Sequence, residues 1–416
     1  MAGSQWHGYW DRRRLSVKRK EVSQSENDEI GAGTEKISPS IVAPDLVDVY
    51  EFICRSCVQK PQMNYDFFQS MCVPHALLHS KQSSSPEIAS RLGGPLLAKT
   101  GFTKESVAQT IDEWCAIGVK LSRKLGFNEF ELSLSEKVRI YHYYVPVFLW
   151  CKRELELHTL KYKEGEFVRP LVIGISAPQG CGKTTIVDSL EYLFNSLGSH
   201  AAAISIDDFY LTASSQAELA ALNCDNHLLK MRGNAGSHDL QLGIQTLKAL
   251  CSLTSSGMTA KLPHYDKSAN AGYGDRADPS KWAEVEAPLK VVLFEGWMLG
   301  FEPEDECTVA AIDPQLVAVN KNLAAYNDAW HKMIDSWIII QVGDPHWVYK
   351  WRQQAEAGMR ADGGSGMTDE QVADFVSTYM PAYKAYLPAL YEKGPHGASP
   401  EHTLRLDIDE DRNPVG

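Results

Sequence analysis

Leu171-Val-Ile-Gly-Ile-Ser-Ala-Pro-Gln-Gly-Cys-Gly-Lys-Thr-Thr185 is the stretch on which the reading of this 416-residue chain turns. Leu171 to Ile175, set off by the breaker Pro170, is a β-branched apolar run of the kind that forms a buried strand. A loop of small residues follows. Lys183-Thr184-Thr185 then opens a helical pattern whose apolar positions are Ile186, Val187, Leu190, Leu193, Phe194 and Leu197. Strand, small-residue loop and Gly-Lys-Thr at a helix start are the parts of a P-loop, in which backbone N–H groups surround nucleotide phosphates. Ala177, Pro178, Gln179, Gly180, Cys181, Gly182, Lys183, Thr184 and Thr185 are therefore the expected nucleotide-binding residues. Lys183 would reach the β/γ-phosphates, and the Thr184 hydroxyl would ligate Mg²⁺. One departure is visible: Ala177 stands where G-x-x-x-x-G-K-[ST] has its first glycine.

Outward from this loop, short β-branched runs alternate with helical stretches. The runs are Leu171–Ser176, Ala202–Ile206, Val291–Phe294, Trp337–Val342 and Leu404–Ile408. Such alternation implies an α/β fold, a P-loop NTPase parallel sheet with helices on both faces, and ligands outside the carboxyl ends of the strands. Two acidic motifs follow these strands. In Ile204-Ser-Ile-Asp-Asp-Phe-Tyr210 the adjacent carboxylates suit a group that orients a substrate hydroxyl and accepts its proton. Neighbouring residues point in different directions, so one Asp can act in chemistry while the other caps the next segment. In Val291-Val-Leu-Phe-Glu-Gly-Trp297, Glu295 is placed to support Mg²⁺. Two Gly- and charge-rich loops, Met231–Asp239 and Leu262–Arg276, offer Arg232, Lys267 and Arg276 as cations. His238, Asp239, Tyr265 and Asp266 add hydrogen-bonding groups, a set suited to a small anionic acceptor.

Upstream, residues 1–43 are polar, with a basic patch from Arg12 to Lys20, and read as a disordered arm. Its acidic residues Glu21, Glu26, Asp28 and Glu29 make it a poor transit peptide. Residues 44–166 form a helical N-terminal region, with Val107, Ile111, Trp114, Cys115, Leu121 and Leu125 at helical spacing. A Ser133/Glu136 capping box there precedes the run toward Trp150. Residues 167–416 read as the P-loop domain. Ser80 to Ser90 reads as a surface loop.

Lys+Arg 41 against Asp+Glu 53 gives a net charge of −12, which argues against nucleic acid or an anionic membrane as partner. No run of 18 apolar residues spans a bilayer. Nine scattered cysteines fit a reduced compartment better than a disulfide scaffold. Cys54, Cys57, Cys72 and His75 have the outline of a zinc site, although Cys54 and Cys57 also read as core-facing thiols of an amphipathic helix. Cys181, at a helix start beside Lys183, is placed where a thiol pKa falls, with redox sensitivity as the consequence.

The ordered set Ser176–Thr185, Asp207-Asp-Phe-Tyr210, Arg232–Asp239, Leu262–Ser268 and Gly274-Asp-Arg276 resembles the phosphoribulokinase/uridine kinase/pantothenate kinase branch. Within it the resemblance is to plant-type D-glycerate 3-kinases, shared by Gly366–Glu370, Tyr379–Pro388 and Tyr141–Trp150. It implies ATP- and Mg²⁺-dependent phosphorylation of D-glycerate at the 3-hydroxyl, in photorespiratory carbon recovery in the chloroplast stroma; a cytoplasmic form stays open. Carried over, Lys183, Asp207 and Arg360 are catalytic, with Asp207 as the base, and Thr184 and Glu295 serve the metal. Asp208, Tyr210, Arg232, His238, Asp239, Tyr265, Lys267 and Arg276 are placed at the substrate. Arg352 and Arg360 resemble the arginines of a lid around 350–368, with Gly358, Gly363, Gly364 and Gly366 as hinge positions. A monomer is the working expectation. Uridine, pantothenate or a sugar phosphate is the alternative acceptor. A regulatory GTPase fails, because Asn320-Lys-Asn-Leu323 lacks the Asp of Asn-Lys-x-Asp.

Overall fold

The computed structural model describes residues 96–361, 363 and 366–415. The arm at 1–43, the start of the helical region, the Ser80–Ser90 loop, the Cys54/Cys57/Cys72/His75 group and Gly364 lie outside the described residues.

Ten strands are present among the described residues: β1 (Leu171–Ser176), β2 (Ala201–Ser205), β3 (Thr259–Leu262), β4 (Tyr265–Asp266), β5 (Asp275–Arg276), β6 (Ala283–Glu286), β7 (Val291–Gly296), β8 (Ser336–Val342), β9 (Thr403–Ile408) and β10 (Pro414–Val415). Six of them make one sheet in the order β10-β9-β8-β1-β7-β2. The pairs β9·β8, β8·β1, β1·β7 and β7·β2 are all parallel, and only the short edge strand β10 runs antiparallel. The five expected strands appear with ends moved by at most two residues, and together they form the parallel sheet. The small hairpins β3–β6 and β4–β5 were not expected, because their two- to four-residue strands are too short to show a period.

Every residue of β1, β2 and β7 is buried. Successive side chains of a strand face opposite sides, so unbroken burial means that both faces are covered, as parallel sheets require. Two groups of helices cover them. Ile111–Lys124, Val145–Thr159 and the phosphate-loop helix Lys183–Ser196 share a core in which Phe148 meets Phe194 at 5.0 Å between ring centroids. Elsewhere Phe209, Phe294 and Trp330 pack together, mostly edge-on, with Trp330 meeting Tyr326 of helix Leu316–Ala329. Leu197, expected on the apolar face, caps the end of its helix and stays exposed.

The Ser133/Glu136 box is formed: Ser133 N–H donates to Glu136 Oε2 at 2.7 Å and Glu136 N–H donates to Ser133 Oγ at 3.4 Å. The helix that it starts, Leu134–Arg139, runs through a π turn at Ile140–Tyr144 into Val145–Thr159. Pro146 has no N–H to continue an α ladder, and a wider turn just before it accommodates that loss.

Candidate active site

The phosphate loop leaves the carboxyl end of β1 with Ala177 and Cys181 buried. Gly180 takes φ +80°, where an added Cβ would sit 2.7 Å from the Cβ of Trp351. That approach needs glycine for two reasons, the left-handed backbone and the missing side chain. Gln179 N–H donates to the Tyr383 hydroxyl at 3.1 Å, fixing the loop from below.

Lys183, first residue of its helix, is ion-paired with Glu295 at the end of the neighbouring strand β7. Glu295 is only 6 % exposed, so the pairing partner matters to its charge. Thr184 is exposed at the same helix start. A carboxylate and a hydroxyl are hard oxygen donors of the kind Mg²⁺ takes, with phosphates and waters completing its shell. Among the described residues no group of three or more His, Cys, Asp or Glu forms a metal cage.

Asp207 and Asp208 divide as adjacent residues must. They lie in a 3₁₀ turn, Ile206–Phe209, directly after β2. Asp208 turns inward: its carboxylate accepts from Ser205 N–H at 3.3 Å, in a capping box, and from Tyr265 N–H at 3.5 Å. Asp207 turns outward and meets Lys267 Nζ at 2.5 Å. Burial alone would raise its pKa. The charges of Lys267 and Lys183, with hydrogen bonds from Lys267 and Tyr210, outweigh it and hold the carboxyl well below the usual carboxylate range. Two carboxylates, Glu295 and Asp207, thus lie at the ends of β7 and β2, each ion-paired with a lysine, Lys183 and Lys267.

The two polar loops wrap this row, and much of their chemistry goes into their own architecture. Arg232 donates to the carbonyls of Gly272 and Tyr273 and lies over the Tyr265 ring at 5.5 Å. Arg276 donates to Tyr210 O at 3.1 Å and Asp239 Oδ2 at 3.0 Å, while Asp239 caps helix Leu240–Cys251. His238 stacks on Tyr210 at 4.7 Å, and its Nδ1 lies 2.8 Å from the Tyr326 hydroxyl. Burial lowers its pKa to about 4, so the ring is neutral at pH 7.

The two arginines expected in a lid are both held locally. Arg352 is ion-paired with Glu356, one turn along helix Trp347–Ala361, the helix expected as a lid, and lies over the Phe375 ring at 4.9 Å. Arg360, exposed, donates to Met367 O across the turn that follows. Gly366, expected as a hinge, is a packing position: a Cβ there would lie 2.6 Å from the backbone oxygen of Glu356. Cys181 departs from its expectation. Helix start and Lys183 do pull its thiol down, but burial dominates and pushes it up to about 11.

The Phosphoribulokinase / Uridine kinase family model matches residues 172–311, which contain the phosphate loop, both aspartates and Glu295. A curated relative in Arabidopsis thaliana, "D-glycerate 3-kinase, chloroplastic", is 58% identical over 322 residues, 77% of this chain and 71% of its own. This chain belongs to the D-glycerate 3-kinase family. A Schizosaccharomyces pombe relative, "Uncharacterized kinase mug58", is 40% identical over 59% of this chain and 91% of its own. Among solved structures, D-glycerate 3-kinase from Cryptococcus neoformans is similar with a TM-score of 0.59 and 35% identity. That match covers 65% of this chain and 96% of the fungal one.

In this kinase the sequence left two tyrosines without a role. Tyr379 and Tyr383 form one side of the site, both packed edge-on against Trp297. Burial raises the Tyr379 pKa to about 12, and its hydroxyl feels the charges of Arg232, Asp207 and Arg352 together. It therefore stands between the loop that carries Arg232, Asp207 and helix Trp347–Ala361. The spacing Tyr379-x3-Tyr383 was the available signal: it puts both rings on one helix face.

Proposed function

We propose that this kinase transfers the γ-phosphoryl group of ATP to the 3-hydroxyl of D-glycerate, giving 3-phosphoglycerate and ADP. The observation that carries the reading is Asp207, kept ionised by Lys183 and Lys267 at the mouth of the phosphate loop. A carboxylate held so far below its usual pKa is a weak base. Its part is to accept a hydrogen bond from the acceptor hydroxyl, align the oxygen, and take the proton late, as a loose phosphoryl transfer allows.

Lys183, released from Glu295, would neutralise β/γ-phosphate charge. Thr184 and Glu295 would hold Mg²⁺, which supplies charge neutralisation between the phosphates when bound. Lys267, paired with Asp207, and Arg232, which donates to the Lys267 carbonyl, are the cations we assign to the glycerate carboxylate. Neutral His238 and Tyr210 supply hydrogen bonds, while Arg276, Asp239 and Asp208 hold the loops that carry them. Arg352 and Arg360 would counter charge on the transferring group once the lid moves. The relative's printed location supports a chloroplast protein; placement in the stroma and a role in photorespiration follow the same family reading. Among the described residues no helix is long and apolar enough to cross a membrane.

The test is ADP release with ATP and Mg²⁺ against D-glycerate, L-glycerate, uridine, pantothenate and ribulose 5-phosphate, with the product identified by NMR. Turnover with D-glycerate alone, giving the 3-phosphate, is the expected outcome. Turnover with another acceptor would overturn the substrate and leave the phosphate site standing.

A further inference from the structure

Arg412 lies beyond the last parallel strand and outside every motif that the sequence offered. The turn that carries it is closed on Asp409: the carboxylate accepts from Asp411 N–H at 2.9 Å and Asn413 N–H at 2.8 Å, and Arg412 N–H donates to Asp409 O at 3.0 Å. Arg412 itself sits at φ +66°, an unusual backbone for a long side chain. The result is a guanidinium laid across the phosphate loop. Its Nε donates to Gly180 O at 2.7 Å, its Nη2 donates to Gln354 Oε1 at 3.0 Å, and its plane lies over the Trp351 ring, 5.2 Å from the centroid. Trp351 and Gln354 both belong to the lid helix. One planar cation joins the C-terminal turn, the phosphate loop and the lid.

The bond to Gly180 has a consequence for the loop's other side. In a trans peptide the C=O and the following N–H point in opposite directions. Fixing Gly180 O toward Arg412 therefore turns Cys181 N–H the other way, and the loop's N–H groups are what nucleotide phosphates meet. Gly180 has no side chain of its own to hold that peptide plane, and glycine is the residue with most freedom to lose it. Arg also forks between two acceptors, which a single ammonium cannot do.

We propose that Arg412 is a positioning residue that presets the phosphate loop for the nucleotide's phosphates and couples it to the lid helix. The inference rests on the phosphate-loop reading and is independent of which acceptor is used. It is tested on the full chain by titrating ATP with Mg²⁺ in the absence of any acceptor, alongside hydrogen exchange of the unliganded protein. In Arg412→Ala the ATP dissociation constant is expected to rise about tenfold, the order of one lost charge-assisted hydrogen bond. Exchange should rise in peptides spanning 177–183 and 351–355. Arg412→Lys retains a donor for Gly180 and loses the fork, so it is expected to keep the loop protected while exchange rises only at 351–355. This second variant carries the test if Arg412→Ala does not fold. Weaker ATP binding with unchanged loop exchange would mean that Arg412 meets the nucleotide itself, and would overturn the proposal. So would unchanged ATP affinity, or a lysine variant whose loop exchanges as fast as the alanine variant's.

Discussion

Asp207 and His238 show how burial sets a residue's charge in opposite ways. Asp207 keeps its negative charge because two lysines surround it, and Asp207→Asn keeps an accepting oxygen but loses the charge and the group that takes the hydroxyl proton. We expect kcat to fall by roughly 10²–10⁴ with little change in ATP affinity, read by steady-state kinetics with a parallel ATP titration. His238 also feels the Asp207 charge, but burial outweighs it and the ring stays neutral. Its folded pKa of about 4 lies below the 6.5 of an exposed imidazole, so the unfolded chain binds the extra proton first as pH falls. The stability this group contributes is complete above about pH 6.5 and is lost progressively toward pH 4, by about 3 kcal/mol if the full shift is expressed. Denaturant midpoints at pH 7 and pH 4.5 should therefore differ less in His238→Gln than in the unsubstituted protein.

At the scale of elements, helix Trp347–Ala361 is the informative case. Glu356 is 1 % exposed, holds Arg352, and accepts from Met367 N–H at 2.8 Å, so one carboxylate fixes both the helix and the turn beyond it. Removing it leaves the largely buried Arg352 charge without that partner. Glu356→Ala should cost about 3–5 kcal/mol, while Glu356→Gln, which keeps a hydrogen-bonding oxygen, should cost less; thermal or denaturant unfolding decides. The phosphate loop is tied to the same helix through Trp351. Gly180→Ala would force a Cβ into Trp351 and a non-glycine residue into the left-handed region. About 1–3 kcal/mol of destabilisation is expected, with weaker ATP binding in the same titration.

Across the whole molecule, the helices before residue 166 belong to the core of the sheet. Trp114, Phe148, Trp150 and Cys151 are buried in the same cluster as β1 and the phosphate-loop helix. Glu154, almost fully buried, accepts from Ser336 Oγ of β8 at 3.0 Å and has His402 Nδ1 at 2.6 Å, pinning helix Val145–Thr159 to the sheet. A chain starting at residue 167 would expose Phe194 and leave β1 uncovered on one face. It should be insoluble or melt well below the full chain, measured by soluble yield and thermal unfolding.

The order of motifs along the chain was enough to specify the parallel sheet and the phosphate loop, because strand periodicity, Gly-Lys-Thr and acids after strands are local signals. β1 could be bounded from the sequence and β8 to within a residue, while β7 runs two residues past its apolar run to Gly296. Local signals could not say which of two adjacent aspartates faces the site, since that depends on the 3₁₀ turn and on Lys267 arriving from sixty residues away. The same holds for Cys181, where the helix start was legible and the burial that overrides it was not. Nor could spacing reveal that Arg276 and Asp239 satisfy each other, or that Arg412 reaches Gly180 across 232 positions. Sequence determined which chemical groups this protein owns and the elements that carry them. Tertiary structure decided their charges and partners, because desolvation and hydrogen bonding depend on neighbours that the chain brings together only when it folds.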